Sequence, residues 1–340
     1  MRGDHLNPMN GQEMLWLRND VLKVGLLPAF GGKIASLSSM RTGEEFLLPP
    51  LGAYHHVSPS ATFSESDGGG FDECLPSVAA CEAYAGKGPV PDHGDLWRLN
   101  WHVESQHEAV TLYADSTSRP LRLTRRATLQ GASLILEYHL LNLSDSPTTW
   151  IWSAHPLLRV DPGDRIVLPE SVEWVSVEYS AGDLFLRNTL ISWPAAKSTS
   201  GFVVDLSKVG EKDGVTAHKL FAKMDKSAWG AVYRAKAAQG LMLRFDHATL
   251  PFLGIWICSG AWPEERQEKQ YTVALEPTTS NVDSLADAER NGTTRTLAPG
   301  ERSQWRIEIQ LIEAPSSVEF ELLCSQVSLS PSNPIPAANL

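Results

Sequence analysis

Two histidines and one glutamate stand in short motifs that could support acid–base chemistry. His93 lies in DHGDLWRLNW at 92–101, His155 in WSAHPLLRV at 152–160, and Glu276 in VALEPTTSN at 273–281. An imidazole can donate and accept a proton near neutral pH, and a carboxylate can accept one. We therefore predict these three residues as candidate catalytic groups.

Each candidate also has a purely structural interpretation. His93 could be a histidine of a surface turn, and His155 a structural histidine with satisfied hydrogen bonds. His155 and Glu276 each precede a proline, Pro156 and Pro277. A residue before proline is held in an extended conformation, so we expect His155 at a strand end and Glu276 at a solvated sheet rim. Taken singly, the three residues leave both interpretations open.

A glycine run precedes two acidic residues in GGGFDECLPS at 68–77. It lacks the G-K-[ST] ending and the following helix of a phosphate-binding loop. We predict a tight turn that exposes Asp72 and Glu73, and we include both among the candidate substrate-binding residues.

The charge balance and the aromatic residues near His93 indicate the kind of ligand. Forty acidic residues against 29 basic ones give a formal net charge of −11, which argues against a nucleic-acid-binding surface. Trp97 and Trp101 follow His93 closely, and an imidazole beside flat apolar rings is typical of a sugar site. A neutral polar ligand fits both observations.

Alternating apolar and polar residues predict the elements that must hold these groups. Period-two patterns run through 15–27, 121–129, 133–143 and 305–312, and further β-rich runs occupy 165–168, 241–246 and 253–259. One segment, NVDSLADAERNG, reads as a helix capped by Ser280 or Asn281 and ended by Gly292. No βαβ rhythm and no G-x-G-x-x-G after a strand is present. We predict an all-β fold of stacked, large antiparallel sheets.

The chain carries few signals of targeting or cross-linking. Its four cysteines form no C-x-x-C pair, and it contains neither an apolar leader nor a run of about 18 apolar residues. We predict a cytoplasmic protein with one domain over 1–312. Ser and Pro enrichment after residue 312 predicts a loosely attached extension over 313–340.

Taken together, these motifs resemble the aldose 1-epimerase (galactose mutarotase) superfamily. Its members show an early Gly pair, then H-G, H-P and L-E-P motifs, which match Gly31-Gly32, His93-Gly94, His155-Pro156 and Leu275-Glu276-Pro277. The opening LPAFGGKIASLSSMRTGEEFLLP also looks like the family's first strands, and the match spans roughly 15–312. The resemblance implies a β supersandwich with a sugar in an open cleft.

The resemblance also implies roles for individual residues. Glu276 would remove the proton of the C1 hydroxyl, His155 would protonate the ring oxygen, and His93 would hydrogen-bond the sugar. Trp97 or Trp256 would offer an aromatic face to the sugar. No cofactor and no metal is implied, and the reaction would interconvert α and β anomers of an aldose.

One segment departs from the family pattern. Many members have an Asp in a Y-D-H-like stretch that binds sugar hydroxyls, whereas this chain has AHKLFAKMD at 217–225, so Lys219 or His218 would occupy that place. An ammonium cannot accept hydrogen bonds from hydroxyls, which makes galactose itself a poor candidate substrate.

The GGGFDECLP stretch, with Glu73 in it, resembles a less characterised branch of the superfamily more than the galactose enzymes. In a branch that acts on aldose phosphates, Arg98, Arg126 or Lys219 would meet the phosphate.

Three functions therefore remain open. The first is an anomer-interconverting enzyme acting on an aldose or aldose phosphate, and the second is a non-catalytic carbohydrate-binding or regulatory protein on the same fold. The third, weaker one is the metal site of a hydrolase or lyase, formed by His55, His56, His93 and acidic neighbours, whose spacing matches no recognised signature.

Overall fold

The structure is a computed structural model that describes residues 13–328 except 107 and 227. Its elements are mostly strands. Along the described chain the strands are β1 (Leu15–Arg18), β2 (Leu22–Leu27), β3 (Lys33–Ser39), β4 (Phe71–Cys74), β5 (His102–Gln106), β6 (Ala109–Asp115), β7 (Leu121–Gln130), β8 (Ser133–Asn142), β9 (Thr148–Trp150), β10 (Ser153–Arg159), β11 (Arg165–Val167), β12 (Trp174–Ser180), β13 (Leu190–Ser192), β14 (Ala195–Lys197), β15 (Val203–Asp205), β16 (Ala217–Lys223), β17 (Trp229–Arg234), β18 (Gln239–Phe245), β19 (Phe252–Ser259), β20 (Tyr271–Thr278), β21 (Arg295–Leu297) and β22 (Arg302–Glu313). The α-helices are α1 (Leu285–Asn291) and α2 (Ser317–Ser328), and 3-10 turns occur at Phe63–Glu65, Leu96–Arg98 and Ala181–Asp183.

Two large antiparallel sheets form the body of the protein. The ten-stranded sheet has the order β1-β2-β3-β4-β10-β20-β19-β16-β12-β13, and the eight-stranded sheet has the order β11-β17-β18-β22-β8-β7-β6-β5. The pairs β14–β15 and β9–β21 form two small sheets. The predicted all-β fold of large antiparallel sheets is confirmed.

The core lies between the two large sheets. Apolar side chains from both of them, such as Leu220 and Ile255 of one and Leu123 and Leu136 of the other, belong to a single buried cluster. Strands such as β7 and β8 contribute alternate residues to this cluster, as the pleat requires. The alternating patterns at 15–27, 121–129, 133–143 and 305–312 correspond to β1 and β2, β7, β8 and β22.

The predicted helix is present but begins later than expected. The side chain of Ser284 caps α1 by accepting a hydrogen bond from the backbone N–H of Asp287, so the prediction of a cap at Ser280 or Asn281 is wrong. Gly292 ends the helix at φ +76°, as predicted. Residues 279–284 instead link β20 to α1, and the Asp283 carbonyl accepts hydrogen bonds from the backbone N–H groups of Val78 and Ala79.

The predicted extension contains a packed helix. β22 continues to Glu313, and α2 places Phe320 and Cys324, both fully buried, against the outer face of the eight-stranded sheet. Apolar residues of β17 and β18 form the surface beneath them, including Tyr233 and Met242. The described part of the extension is therefore docked on the sheet, while residues 329–340 lie outside the described residues.

The GGGFDECLPS stretch does not form an exposed turn. Residues 71–74 form strand β4 near the middle of the ten-stranded sheet, and Asp72 and Glu73 are 1% and 0% exposed. The prediction of a tight turn is wrong because the glycines end before the strand begins, and Phe71 pairs with both neighbouring strands, opposite Ile34 and Pro156. Glu73 faces the core, where it accepts hydrogen bonds from Arg125 at 2.8 Å, Tyr138 at 2.9 Å and Trp152 at 3.1 Å.

Candidate active site

Neighbouring strands of the ten-stranded sheet each bring one polar or aromatic side chain to the same face. In the ladder His155 of β10 stands opposite Asp72 of β4, and Trp256 of β19 stands opposite Lys219 of β16. Glu276 of β20 stands opposite Gly254 of β19. Residues that stand opposite each other in a ladder, and those two positions further along a strand, point to the same face of the sheet. Residues that are far apart along the chain therefore meet on this face.

His155, Lys219, Trp256 and Glu276 line a cleft of about 480 Å³, a volume suited to a small ligand. Its walls are partly aromatic, from Phe63, Tyr179, Trp256 and Trp262. Polar groups complete the lining: Asp92, His93, His155, Lys219, Glu264, Glu265, Gln270, Glu276 and Asp283. Flat rings together with hydrogen-bonding groups are what a sugar requires.

Glu276 lies at the base of the cleft and is fully buried. Its Oε2 contacts the Lys219 ammonium and lies 3.5 Å from the Ser153 hydroxyl. Its Oε1 has no hydrogen-bond partner among the described residues and lies 3.9 Å from His155 Nε2. Burial raises the pKa of Glu276. The predicted solvated rim is wrong, because β20 continues through Pro277 to Thr278 and keeps Glu276 inside the sheet.

His155 is the third residue of β10 and is buried, so its predicted position at a strand end is also wrong. The extended backbone that Pro156 imposes on the residue before it fits a strand, and both residues pair with β4. The Phe63 ring meets the imidazole edge-on at 5.0 Å, and the His93 ring does so at 5.1 Å. Burial, reinforced by the charges of His93 and Lys219, lowers the pKa of His155 well below its ordinary value. The imidazole is therefore neutral at neutral pH.

His93 reaches the cleft from a loop rather than from a strand. Its backbone has φ +56°, its ring stacks on Phe63 at 4.2 Å, and its Nδ1 lies 3.1 Å from an Asp92 oxygen. The following residue must be glycine, because a Cβ on Gly94 would lie 2.0 Å from the Leu75 carbonyl oxygen. This close approach fixes the loop against the end of β4, beside His155.

Lys219 points into the cleft, whereas His218 points to the other face of the sheet. The Lys219 ammonium contacts Glu276, lies 3.6 Å from Asp283 Oδ1 and sits 5.5 Å from the Phe221 ring centre. Burial alone would lower the pKa of Lys219, but the carboxylates of Asp283 and Glu276 outweigh it and raise the pKa. His218 Nδ1 instead lies 3.0 Å from the Ser180 hydroxyl. Lys219, at the place where many family members have an aspartate, thus puts an ammonium against the carboxylate of the candidate base Glu276.

Solved structures share this arrangement of sheets. A galactose mutarotase-related enzyme from Lactobacillus acidophilus has a TM-score of 0.62 at 18% identity, covering 89% of this chain and 98% of that chain. A galactose mutarotase-like protein from Lactobacillus casei has a TM-score of 0.63 at 17% identity, covering 88% and 100%. Another from Clostridium acetobutylicum has a TM-score of 0.62 at 13% identity, covering 91% and 97%.

The chain has the galactose mutarotase-like fold. At such low identities a shared fold does not establish a shared activity. A family model described as a domain of unknown function (DUF4432) matches residues 195–311, which include Lys219, Trp256 and Glu276. A search of curated protein sequences found no match to this chain.

The cleft includes only some of the residues predicted to contact a sugar. Trp256 lines it and donates a hydrogen bond from Nε1 to Gln270 at 3.2 Å. Trp97 lies behind Phe63 and donates to the Asp92 carbonyl at 3.0 Å. Asp72 is buried against the Lys33 ammonium, and neither Asp72 nor Glu73 is among the residues that line the cleft.

The two predicted arginines also lie away from the cleft lining. Arg98 donates hydrogen bonds to the carbonyls of Pro59, Ala61 and Asp92, at 2.6, 3.1 and 2.8 Å. Arg126 is paired at the surface with Glu137, 2.8 Å away. Neither guanidinium is among the groups that line the cleft.

Several cleft residues were missed by sequence reasoning. Phe63, Tyr179 and Trp262 carry no local signal, and Asp283 was read as part of the helix. Among the described residues no group of three or more His, Cys, Asp or Glu side chains is arranged to hold a metal ion. None of the described helices is long and apolar enough to cross a membrane.

Proposed function

We propose that the chain is an aldose 1-epimerase-like enzyme that interconverts the α and β anomers of an unphosphorylated aldose. The observation that carries this proposal is the buried Glu276 carboxylate. Its free Oε1 faces a neutral imidazole, within a cleft walled by aromatic rings. Such a carboxylate is suited to accept a proton from a bound hydroxyl.

In this mechanism Glu276 Oε1 takes the proton of the C1 hydroxyl as the bond between C1 and the ring oxygen breaks. The ring oxygen gains a proton, C1–C2 rotates, and the ring recloses on the other face of the aldehyde. The resemblance assigns the donor role to His155, and the Nε2 of this residue adjoins the base. As a neutral imidazole it can donate a hydrogen bond to the ring oxygen.

The charge of the cleft favours a substrate without phosphate. Its lining includes the carboxylates of Asp92, Glu264, Glu265, Glu276 and Asp283. Lys219, which provides the ammonium in this lining, is already paired with two of them. A phosphate dianion would therefore meet like charges without a free cation to pair with.

A non-catalytic sugar-binding protein is the second candidate. The ion pair between Lys219 and Glu276 favours this candidate, because it already occupies one oxygen of the candidate base in the free protein. This candidate predicts saturable sugar binding with no acceleration of anomer exchange.

An NMR exchange assay over a panel of free and phosphorylated aldoses separates the two. We expect the wild-type protein to accelerate exchange of at least one free aldose, and Glu276→Gln to lower the rate by about 10²–10⁴-fold. Binding of the sugar by the variant should persist, since the amide has a similar shape. Glu308→Gln, in the eight-stranded sheet, serves as a matched control with unchanged exchange.

A flat result across the whole panel would overturn the enzymatic proposal. Exchange by Glu276→Gln at the wild-type rate would remove Glu276 from the mechanism.

A further inference from the structure

The contact between Lys219 and Glu276 is the feature that the resemblance does not explain. We propose that Lys219 is a further catalytic residue of the cleft, whose ammonium protonates the ring oxygen while Glu276 Oε1 removes the C1 hydroxyl proton. This inference rests on the proposed function and changes the identity of the acid.

The geometry supports a paired donor and acceptor. The Lys219 ammonium contacts Glu276 Oε2, while Oε1 of the same carboxylate has no partner among the described residues. The two oxygens on an anomeric carbon are two bonds apart, as are the two oxygens of a carboxylate. A sugar whose C1 hydroxyl meets Oε1 can therefore place its ring oxygen next to the ammonium.

Burial supports the same assignment. Lys219 lines the cleft while remaining 6% exposed, and Glu276 is 0% exposed. In so buried a site, a proton transfer that leaves a new unpaired charge is unfavourable. When Lys219 gives up a proton and Glu276 gains one, the ion pair becomes a neutral amine and a neutral acid, and no unpaired charge is left.

The proton transfers balance on this scheme. The C1–O5 bond breaks and its electron pair goes to O5, which takes a proton from Nζ. The O1–H bond electrons form the second C1–O1 bond, and that proton goes to Oε1. On reclosure O5 attacks C1, the neutral amine takes back the O5 proton, and Glu276 returns its proton to O1.

The ammonium becomes a better acid at the moment when it is needed. Its charge is stabilised by the carboxylates of Glu276 and Asp283. As Glu276 gains a proton, one of these two counter-charges disappears, which favours release of the proton from Nζ. His155 remains beside the pair as a neutral hydrogen-bonding group.

Substitutions of Lys219 test this role directly. We expect Lys219→Met to lower the exchange rate by about 10²–10⁴-fold. Lys219→Arg should lose nearly as much although it keeps the positive charge, because a guanidinium does not release its proton. Lys23→Met, whose lysine packs on Trp16 away from the cleft, should exchange like wild type.

Chemical rescue separates proton donation from a structural role. Methylammonium added to Lys219→Ala should restore exchange in a saturable way, and tetramethylammonium, which has charge but no N–H, should not. We also expect His155→Asn to lower the exchange rate less than Lys219→Met does, because Lys219 and not His155 is the proton donor.

Three results decide the inference. Wild-type exchange in folded Lys219→Met or Lys219→Arg, with exchange lost in Glu276→Gln, would overturn it and leave the proposed function standing. Equal rescue by tetramethylammonium would also overturn it. A wild-type protein that accelerates no sugar on the panel would overturn both proposals.

Discussion

At the scale of single residues, the cleft depends on a position that has no side chain. Gly254 stands opposite Glu276 in the sheet, and an added Cβ there would lie 3.2 Å from both Glu276 Cβ and Oε2. It would also lie 3.4 Å from the Phe221 ring. The missing side chain gives the carboxylate room to lie across β19 toward Lys219.

Gly254→Ala should therefore move the carboxylate by a few tenths of an ångström or more. We expect about a 10²-fold loss of anomer exchange, because small misplacements of catalytic groups are costly. The free energy of unfolding should fall by only about 1–3 kcal/mol. Exchange kinetics and urea unfolding measure the two effects.

Gly210→Ala is the matched control, since no atom lies within 4 Å of its added Cβ. Exchange by Gly254→Ala at the rate of this control would show that the carboxylate does not need the space.

The candidate residues could be found from sequence because their dipeptides are local. His93-Gly94, His155-Pro156 and Glu276-Pro277 stand out in the chain, and the structure brings all three polar side chains to one cleft. The ion pair could not be found, because Lys219 and Glu276 are 57 positions apart and meet only through the strand order. Whether these residues act as the resemblance implies stays a prediction.

At the scale of elements, helix α2 covers a second apolar layer. Phe320 is fully buried, its ring centre lies 5.2 Å from that of Tyr233, and Gly240 makes room for it. A Cβ on Gly240 would lie 2.5 Å from the Phe320 ring. The helix is thus seated on the sheet by a large aromatic side chain.

Phe320→Ala should lower the free energy of unfolding by about 3–5 kcal/mol, the usual cost of removing a buried aromatic ring. Urea unfolding measures this loss. Leu322→Ala on the same helix is the control, because its side chain is 57% exposed and should change stability by less than about 0.5 kcal/mol. A loss below about 1 kcal/mol in Phe320→Ala would contradict the seating of the helix.

Strands marked by alternating or continuous apolar residues were predictable, whereas a strand with buried acidic residues was not. β7, β8 and β22 alternate in burial, so their period-two patterns could be read directly. β4 is buried at every position although it contains two acidic residues, which are paired inside the protein. Because acidic residues after a glycine run are typical of an exposed turn, its sequence did not indicate a strand. The Ser- and Pro-rich composition after residue 312 hid the few apolar residues that dock α2.

At the scale of the whole molecule, the electrostatic field works against anionic ligands. The formal net charge is −11, and carboxylates dominate the cleft lining. Clefts with low-dielectric walls focus such fields. A phosphorylated sugar would therefore be repelled both on approach and in the site.

We expect kcat/KM for an aldose to exceed that for its 6-phosphate by about tenfold or more, which corresponds to about 1.4 kcal/mol. The ratio should shrink as salt rises from about 0.05 to 0.5 M, because salt screens exposed charges. The exchange assay at both ionic strengths measures it, and the uncharged aldose provides the internal control. Faster turnover of the 6-phosphate would contradict the proposed substrate class.

The position of β20 between β10 and β19 has a consequence for how the protein is made. Ser153 and Glu276, which touch across this junction, are 123 positions apart. During synthesis β10 and β19 must wait with unpaired edges until residues 271–278 have left the ribosome. Long-range pairing of this kind slows folding, and open strand edges invite association between nascent chains. The strand that carries the candidate base thus also closes the sheet, so a ligand of the cleft could stabilise the chain only after residues 271–278 have been synthesised.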